Sequence, residues 1–268
     1  MPTVGDTIKL IQAIAPEEFA YKEGVENVGL IIGRRAAKAV KVMCCLDVSN
    51  RVIDEAVAEK VGLIISHHPL IFMPISSVSC EDVLGRKILR LIENKIAVYA
   101  SHTNLDFVAD GINDYVANLI GLKGITVLDP YIGANAGFGR AGDLFIGMTA
   151  EALRKEVAHA LNDPFVRVIG ERTDFIKRVA VINGGGGGET KYIDMARDAD
   201  ADCLITADVK HHVAEYALDC GFTIIEPQHH TMEFCYIQKL VQLLQIKAKE
   251  QKLNIEIIQA SSETNIRS

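Results

Sequence analysis

Seven of the eight histidines in this chain of 268 residues fall into four groups, and three of the groups also hold a carboxylate. The groups are His67-His68, His102 with Asp106, Asp208 with His211 and His212, and His229-His230 with Glu233. Imidazole with carboxylate is the donor set of zinc, manganese and iron sites rather than of cysteine-rich structural zinc. His229 and Glu233 stand four apart where a helix is expected to begin, which stacks them on one helical face and suits them to hold a metal from two sides. His102 and Asp106 have the same spacing at a strand end. More than four such donors from distant segments are enough for two ions sharing a bridging carboxylate, as in two-metal hydrolytic sites. His230 and His211 are the weakest members, each with a packing or surface role as the plainer reading. The eighth, His159, flanked by Ala158 and Ala160 on an expected helix, reads as a surface residue.

The elements that must position these groups alternate. His67 and His68 follow Val61-Gly62-Leu63-Ile64-Ile65, an apolar run too short for a helix and closed by Pro69. At the carboxyl end of such a strand the chain turns and both rings can meet in one crevice, where open α/β sheets bind ligands. Strands are expected at 28–32, 40–47, 97–100, 166–169, 179–182, 204–206, 223–226 and 255–258. Helices are expected at 7–15, 51–60 (with Ser49 or Asn50 as cap), 83–94, 112–120, 150–160, 191–198, 210–219 and 232–249. This alternation predicts an α/β fold with largely parallel sheets covered by helices. Residues 126–143, rich in Gly, Pro, Asn and Ala, read as a connector between lobes at about 1–125 and 144–268 of a single domain. The halves echo each other, each running strand, loop, helix, strand and then a His-His pair (His67-His68; His211-His212), so two pseudo-symmetric lobes are expected. The polar tail 261–268 is expected to fray.

Bulk properties narrow the function classes. A formal net charge of −7 with interspersed signs gives no reason to expect a nucleic-acid or membrane-surface partner, and no apolar stretch is long enough to span a bilayer. The six cysteines have no CxxC pair and read as small core residues in a reducing compartment, and the amino terminus has no signal-peptide pattern, so the cytoplasm is expected. Gly184–Gly188, between a strand and a helix, could present backbone amides to an anion or serve as a plain turn. It is not a P-loop, because no Lys-Ser/Thr pair follows it.

At these residues the chain resembles the GTP cyclohydrolase I type 2 homologues, also called NIF-three-like proteins. The resemblance runs from Asn27-Val28-Gly29-Leu30-Ile31-Ile32-Gly33 through Ser66-His67-His68-Pro69-Leu70-Ile71-Phe72 and His102-Thr103-Asn104-Leu105-Asp106. It continues through Gly137-Phe138-Gly139-Arg140, the glycine run and Ala207-Asp208-Val209-Lys210-His211-His212. It implies two similar α/β lobes around a central cleft with two divalent ions, assembled as a homohexamer. It also implies His67, His68, Asp106, His229 and Glu233 as metal ligands, with Glu233 bridging and His102 lining the site. Gln228 stands where the family usually has Gly before its second-half histidine, and Ala207 where Gly usually precedes Asp208. His230 therefore remains an alternative to His229, which is favoured because its spacing to Glu233 is kept.

Two metals imply a hydrolase, with zinc, manganese or iron activating water against a nucleotide or related small molecule and His102 or His212 shuttling protons. The alternative expectation is a non-enzymatic metal-binding protein, acting as carrier, chaperone or regulatory partner.

Overall fold

Residues 1–133, 135–170 and 175–265 are described by the computed structural model. Ala134, inside the expected connector, and 266–268, the end of the expected tail, lie outside the described residues. The chain opens with α1 (Val4–Gln12), β1 (Gly29–Ile32), β2 (Lys41–Cys45), α2 (Asn50–Ala58), β3 (Leu63–Ser66), α3 (Val83–Glu93) and β4 (Ala97–Ala100). Next come α4 (Thr103–Phe107), α5 (Ile112–Leu119), β5 (Lys123–Pro130), β6 (Gly137–Met148), α6 (Ala150–Ala160), β7 (Arg167–Ile169) and β8 (Ile176–Val181). The remainder is α7 (Lys191–Asp198), β9 (Cys203–Ile205), α8 (His211–Asp219), β10 (Thr223–Glu226), α9 (His229–Glu250) and β11 (Glu256–Gln259). Two compact units result, Met1–Leu105 with Ile237–Thr264, and Asp106–Tyr236 with Asn265.

The first unit holds a five-stranded sheet in the order β1-β4-β3-β2-β11, parallel except where β1 meets β4. Every residue of β3 and β4 is buried, as expected of parallel strands covered on both faces. Met43, Ile53, Ile64, Leu91 and Val98 build the core between sheet and helices. Ser49 caps α2 and Asp82 caps α3, each side chain accepting a backbone N–H three residues on. Cys45 lies in this core and Cys44 is buried on the opposite face of β2, where burial pushes its thiol up to about 12, consistent with a small packed residue.

The second unit holds six strands in the order β5-β6-β8-β9-β10-β7. Here β8, β9 and β10 are parallel to one another while β5, β6 and β7 pair antiparallel, so this sheet is mixed rather than largely parallel. The glycine-rich stretch 126–143 is not a connector. Its described residues belong chiefly to the β5–β6 hairpin, and its glycines serve close strand approach: a Cβ on Gly137 would lie 2.1 Å from the Asp129 carbonyl oxygen.

The internal echo is topological. In the first unit β1 precedes β2-α2-β3-α3-β4, and in the second β7 precedes β8-α7-β9-α8-β10. The sheet orders β1-β4-β3-β2 and β7-β10-β9-β8 then match strand for strand, each with its first strand antiparallel beside its last.

Helix ends carry the repeat at the residue level. In α2, α3, α5, α6, α7, α8 and α9 the second residue past the helix adopts a left-handed conformation: Lys60, Lys95, Gly121, Asn162, Asp200, Gly221 and Lys252. The next amide bonds back to the carbonyl five residues earlier, as in Val61 to Ala56, Ile96 to Leu91, Ala201 to Ala196 and Phe222 to Ala217. This is the Schellman closure, and the apolar residue that completes it leads into the following strand. Only two of these positions are glycine. Replacing exposed Lys95 (φ 58°) by Gly removes the side-chain penalty of the left-handed region. We expect Lys95→Gly to stabilise the protein by about 1 kcal/mol in urea unfolding; an unchanged or lowered midpoint would contradict this account of the helix ends.

Candidate functional site

Three adjacent parallel strands of the first unit deliver polar side chains just past their carboxyl ends: Asp47 after β2, His67 and His68 after β3, His102 after β4. The His67 and His68 amides bond to the Cys45 and Leu46 carbonyls, continuing the β2–β3 pairing and fixing the backbone of the pair. All three rings are tied through Nδ1. His67 Nδ1 lies 2.9 Å from the Ser101 carbonyl oxygen, His68 Nδ1 2.9 Å from Asp47 Oδ1, and His102 Nδ1 2.9 Å from Glu26 Oε1. An oxygen acceptor at Nδ1 favours the neutral tautomer with its proton there, and Nε2 then carries the lone pair. The ring centroids lie 5.0 to 5.8 Å apart, and one ring nitrogen from each of the three lies within 4.8 Å of the others.

These acceptors are themselves held. Burial raises the carboxyl of Glu26, but the His102 hydrogen bond and charge, the Thr103 hydroxyl and the Asn27 amide outweigh it and leave the group below the usual carboxylate range. Asp47 is fixed by the C-terminal segment. The Glu263 carboxylate accepts the Leu46 and Asp47 amides at 2.9 and 2.6 Å, while Glu55 accepts the Ser261 and Ser262 amides. Within the tail expected to fray, residues 261–263 are therefore bound, through Glu263 and the Ser261 and Ser262 amides.

The second unit repeats the arrangement with carboxylates. Asn183 follows β8, Asp208 follows β9 and His229 follows β10. His229 Nδ1 lies 2.7 Å from Asp208 Oδ2, and its Nε2 lies 2.9 Å from Glu233 Oε2 one turn along α9. Asn183 Nδ2 donates to Asp106 Oδ1 at 2.9 Å and to Glu233 Oε1 at 3.3 Å, bringing those two carboxylates together. Glu233 is 2% exposed. Asp208 has φ 53°, a left-handed conformation that Asp tolerates better than most residues. Burial works against charge on the His229 ring, yet the Glu233 carboxylate and the hydrogen bonds to Asp208 and Glu233 raise it to about 10.

The donor set fits a divalent transition metal. Borderline imidazole nitrogen and hard carboxylate oxygen suit zinc, manganese or iron, and ligating histidines characteristically have their other nitrogen tied to a carboxylate or carbonyl. His67, His68 and His102 in the first unit could hold such an ion, and His229 with Glu233 supplies two further donors in the second, whereas Asp106 joins no group of three metal-capable donors among the described residues.

The expected site residues separate accordingly. His229 is the ring paired with Glu233, whereas His230 stacks on Phe234 at a centroid distance of 4.8 Å. His211 and His212 are exposed on the first turn of α8, and among the described residues neither belongs to a group of three metal-capable donors. The second-half counterpart of the His67-His68 corner is therefore Asp208, not His211-His212. Asp47, Glu26, Asn183 and Glu263 are absent from the sequence expectation. Asp47 could have been found by the strand-end rule that exposed His67; Glu26, 76 residues from His102 and in an irregular segment, gives no local signal.

Gly184–Gly188 forms a short 3-10 turn against this site. Gly184 has φ 63°, and a Cβ there would lie 2.3 Å from Glu233 Oε1 and 3.3 Å from His229 Nε2. Gly184→Ala should push the Glu233 carboxylate aside and weaken zinc binding about ten- to hundredfold, as misplacing a ligand's support does. Competition against a chromophoric chelator measures this, with circular dichroism confirming the fold; wild-type affinity in the variant would contradict the assignment.

With this geometry in place, comparisons with known proteins bear on kinship. The family model described as Duf34/NIF3 (NGG1p interacting factor 3) matches residues 2–266. A Clostridium acetobutylicum protein named GTP cyclohydrolase 1 type 2 homolog is 36% identical over 86% of this chain and 85% of its own. A protein of the same name from Lactococcus lactis is 32% identical over 98% and 97%. Among solved structures, a Staphylococcus aureus protein shares 29% identity with a TM-score of 0.87, covering 98% of both chains. A Bacillus cereus protein related to NIF3 has the same fold, with a TM-score of 0.92 at 24% identity over 99% of this chain and 98% of that one. The chain belongs to the DUF34/NIF3 family.

Proposed function

We propose that the protein is a divalent-metal-dependent hydrolase acting on a nucleotide or related small molecule, with two ions held by His67, His68, Asp106, His229 and Glu233. The observation that carries this reading is the Nδ1 tethering of His67 and His68 to oxygen acceptors, which leaves Nε2 of each ring as a metal donor. The name borne by its relatives, GTP cyclohydrolase 1 type 2 homolog, supports a nucleotide as the substrate class. Divalent ions held there would supply Lewis acidity and lower the pKa of water toward neutrality.

The protein's own groups do the rest. His67 and His68, on a backbone fixed by the β2–β3 pairing, and the buried Glu233 set the donor positions. Asn183 keeps Asp106 and Glu233 from parting. His102, with Glu26 behind it, is placed to take a proton at Nε2 and return it, the role of a histidine oriented by a carboxylate. The exposed position of His212 favours His102 as the proton carrier. Among the described residues no helix is long and apolar enough to cross a membrane.

Elemental analysis and a nucleotide screen on one metal-reconstituted sample test the proposal. Glu233→Ala is expected to lose both metal and turnover, whereas His102→Gln should keep the metal and lose about 10²- to 10⁴-fold in rate. A wild-type protein that binds metal but turns over nothing would be a metal carrier or regulatory protein instead. Assembly as a homohexamer belongs to the same proposal. Exposed Phe145, Ile146 and Phe175 on the second unit supply an apolar surface for it. Light scattering should give six chains per particle, and Phe145→Asp should dissociate it; a monomeric wild type would refute the assembly.

A further inference from the structure

The residues after His68 form a segment the metal site itself does not use. Leu70 and Ile71 pack on the first unit's core, and the Asn27 side chain donates to the Ile71 carbonyl at 2.5 Å. Asn27 neighbours Glu26, which holds His102, so one dipeptide positions both the ring and this loop. At the loop's far end Arg86 Nη1 donates to the Cys80 carbonyl at 2.8 Å and Asp82 caps α3. The loop is thus anchored on both sides.

Between the anchors, apolar side chains face outward: Phe72 is 44% exposed, Met73 57%, Ile75 40% and Val78 45%. The Phe72 ring stands 6.0 Å from His102, edge to face at 86°. Holding four apolar side chains against water is unfavourable, and such a patch beside polar chemistry marks a binding surface. Its charge pattern says what kind. From residue 61 to residue 85 there is no Lys or Arg, so the loop offers no cationic side chain to a phosphate and an aromatic face to a flat ring.

We infer that Phe72 and Met73 form the wall against which an uncharged, planar heteroaromatic ring of the substrate stacks beside His102. The inference rests on the hydrolase reading for its word substrate, but ring binding by this wall is a separate property of the chain. Stacking on an aromatic side chain tolerates any base and adds substantially to affinity. Specificity for the ring then comes from the His67-His68 loop, and the phosphate, where the substrate has one, must be recognised by other residues.

The chain contains no tryptophan, so Phe72→Trp places its one tryptophan, excited selectively over the seven tyrosines, in the wall. Metal-free Phe72→Trp protein is titrated with inosine and adenosine, which carry a ring without charge, and with tripolyphosphate, which carries charge without a ring. Saturable quenching by the nucleosides and none by tripolyphosphate is expected. In equilibrium dialysis, Phe72→Ala and Met73→Ala should each weaken inosine binding about tenfold while leaving zinc affinity unchanged. No saturable response to either nucleoside, or undiminished inosine binding by Phe72→Ala, overturns the inference. So does a change in assembly size in Phe72→Ala with unchanged nucleoside affinity, which would give the loop to a second copy of the chain. Nucleoside binding without metal-dependent turnover would uphold the wall and remove the hydrolase; turnover with a silent fluorophore would do the reverse.

Discussion

The oxygen acceptor at Nδ1 of each site histidine is the constraint on which the rest of the structure depends. An imidazole can bind a metal through either nitrogen, and an untethered ring samples both tautomers and several rotamers. Ser101, Asp47, Glu26 and Asp208 remove that freedom in His67, His68, His102 and His229 respectively. Two of these tethers are secured by a second layer, Glu263 for Asp47 and Thr103 with Asn27 for Glu26. A binding site made of preset donors spends less of its interaction energy on ordering its own ligands.

The fold explains why such tethers are available twice. A chain that runs strand, helix, strand, helix, strand with parallel pairing delivers its loops to the same end of the sheet, where open α/β sheets bind ligands. In the first unit that end presents Asp47, His67, His68 and His102; in the second it presents Asn183, Asp208 and His229. The two sets differ in charge. The first is rich in imidazole, while the second sets Asp208 and Glu233 on the two nitrogens of one ring, and both carboxylates raise its basicity. Chemistry that needs both nitrogen and oxygen donors is thus supported by one topology with two loop chemistries.

Much of this was legible in the sequence, and the boundary of legibility is physical. His67-His68 could be read because a strand too short to be anything else ends just before them, and His229 with Glu233 because helical spacing sets them on one face. Gly184–Gly188 left an anion loop and a turn both open, since a glycine run shows only that side chains are missing. The clash a Cβ would make with Glu233 explains the first of these glycines without an anion. Residues 126–143 read as a connector, though their described part lies chiefly in a hairpin, because strand glycines that permit close approach resemble flexible ones in composition. Glu26 and Glu263 were invisible for a different reason: their contacts span 76 and 216 residues, and no local pattern encodes a partner that distant.

Anomalous diffraction from zinc-loaded crystals tests the central claim most directly. The account expects zinc bonded to Nε2 of His67 and of His68, with the Nδ1 contacts to Ser101 and Asp47 intact. Zinc bound through Nδ1, or no zinc at these rings in a folded protein, would contradict it.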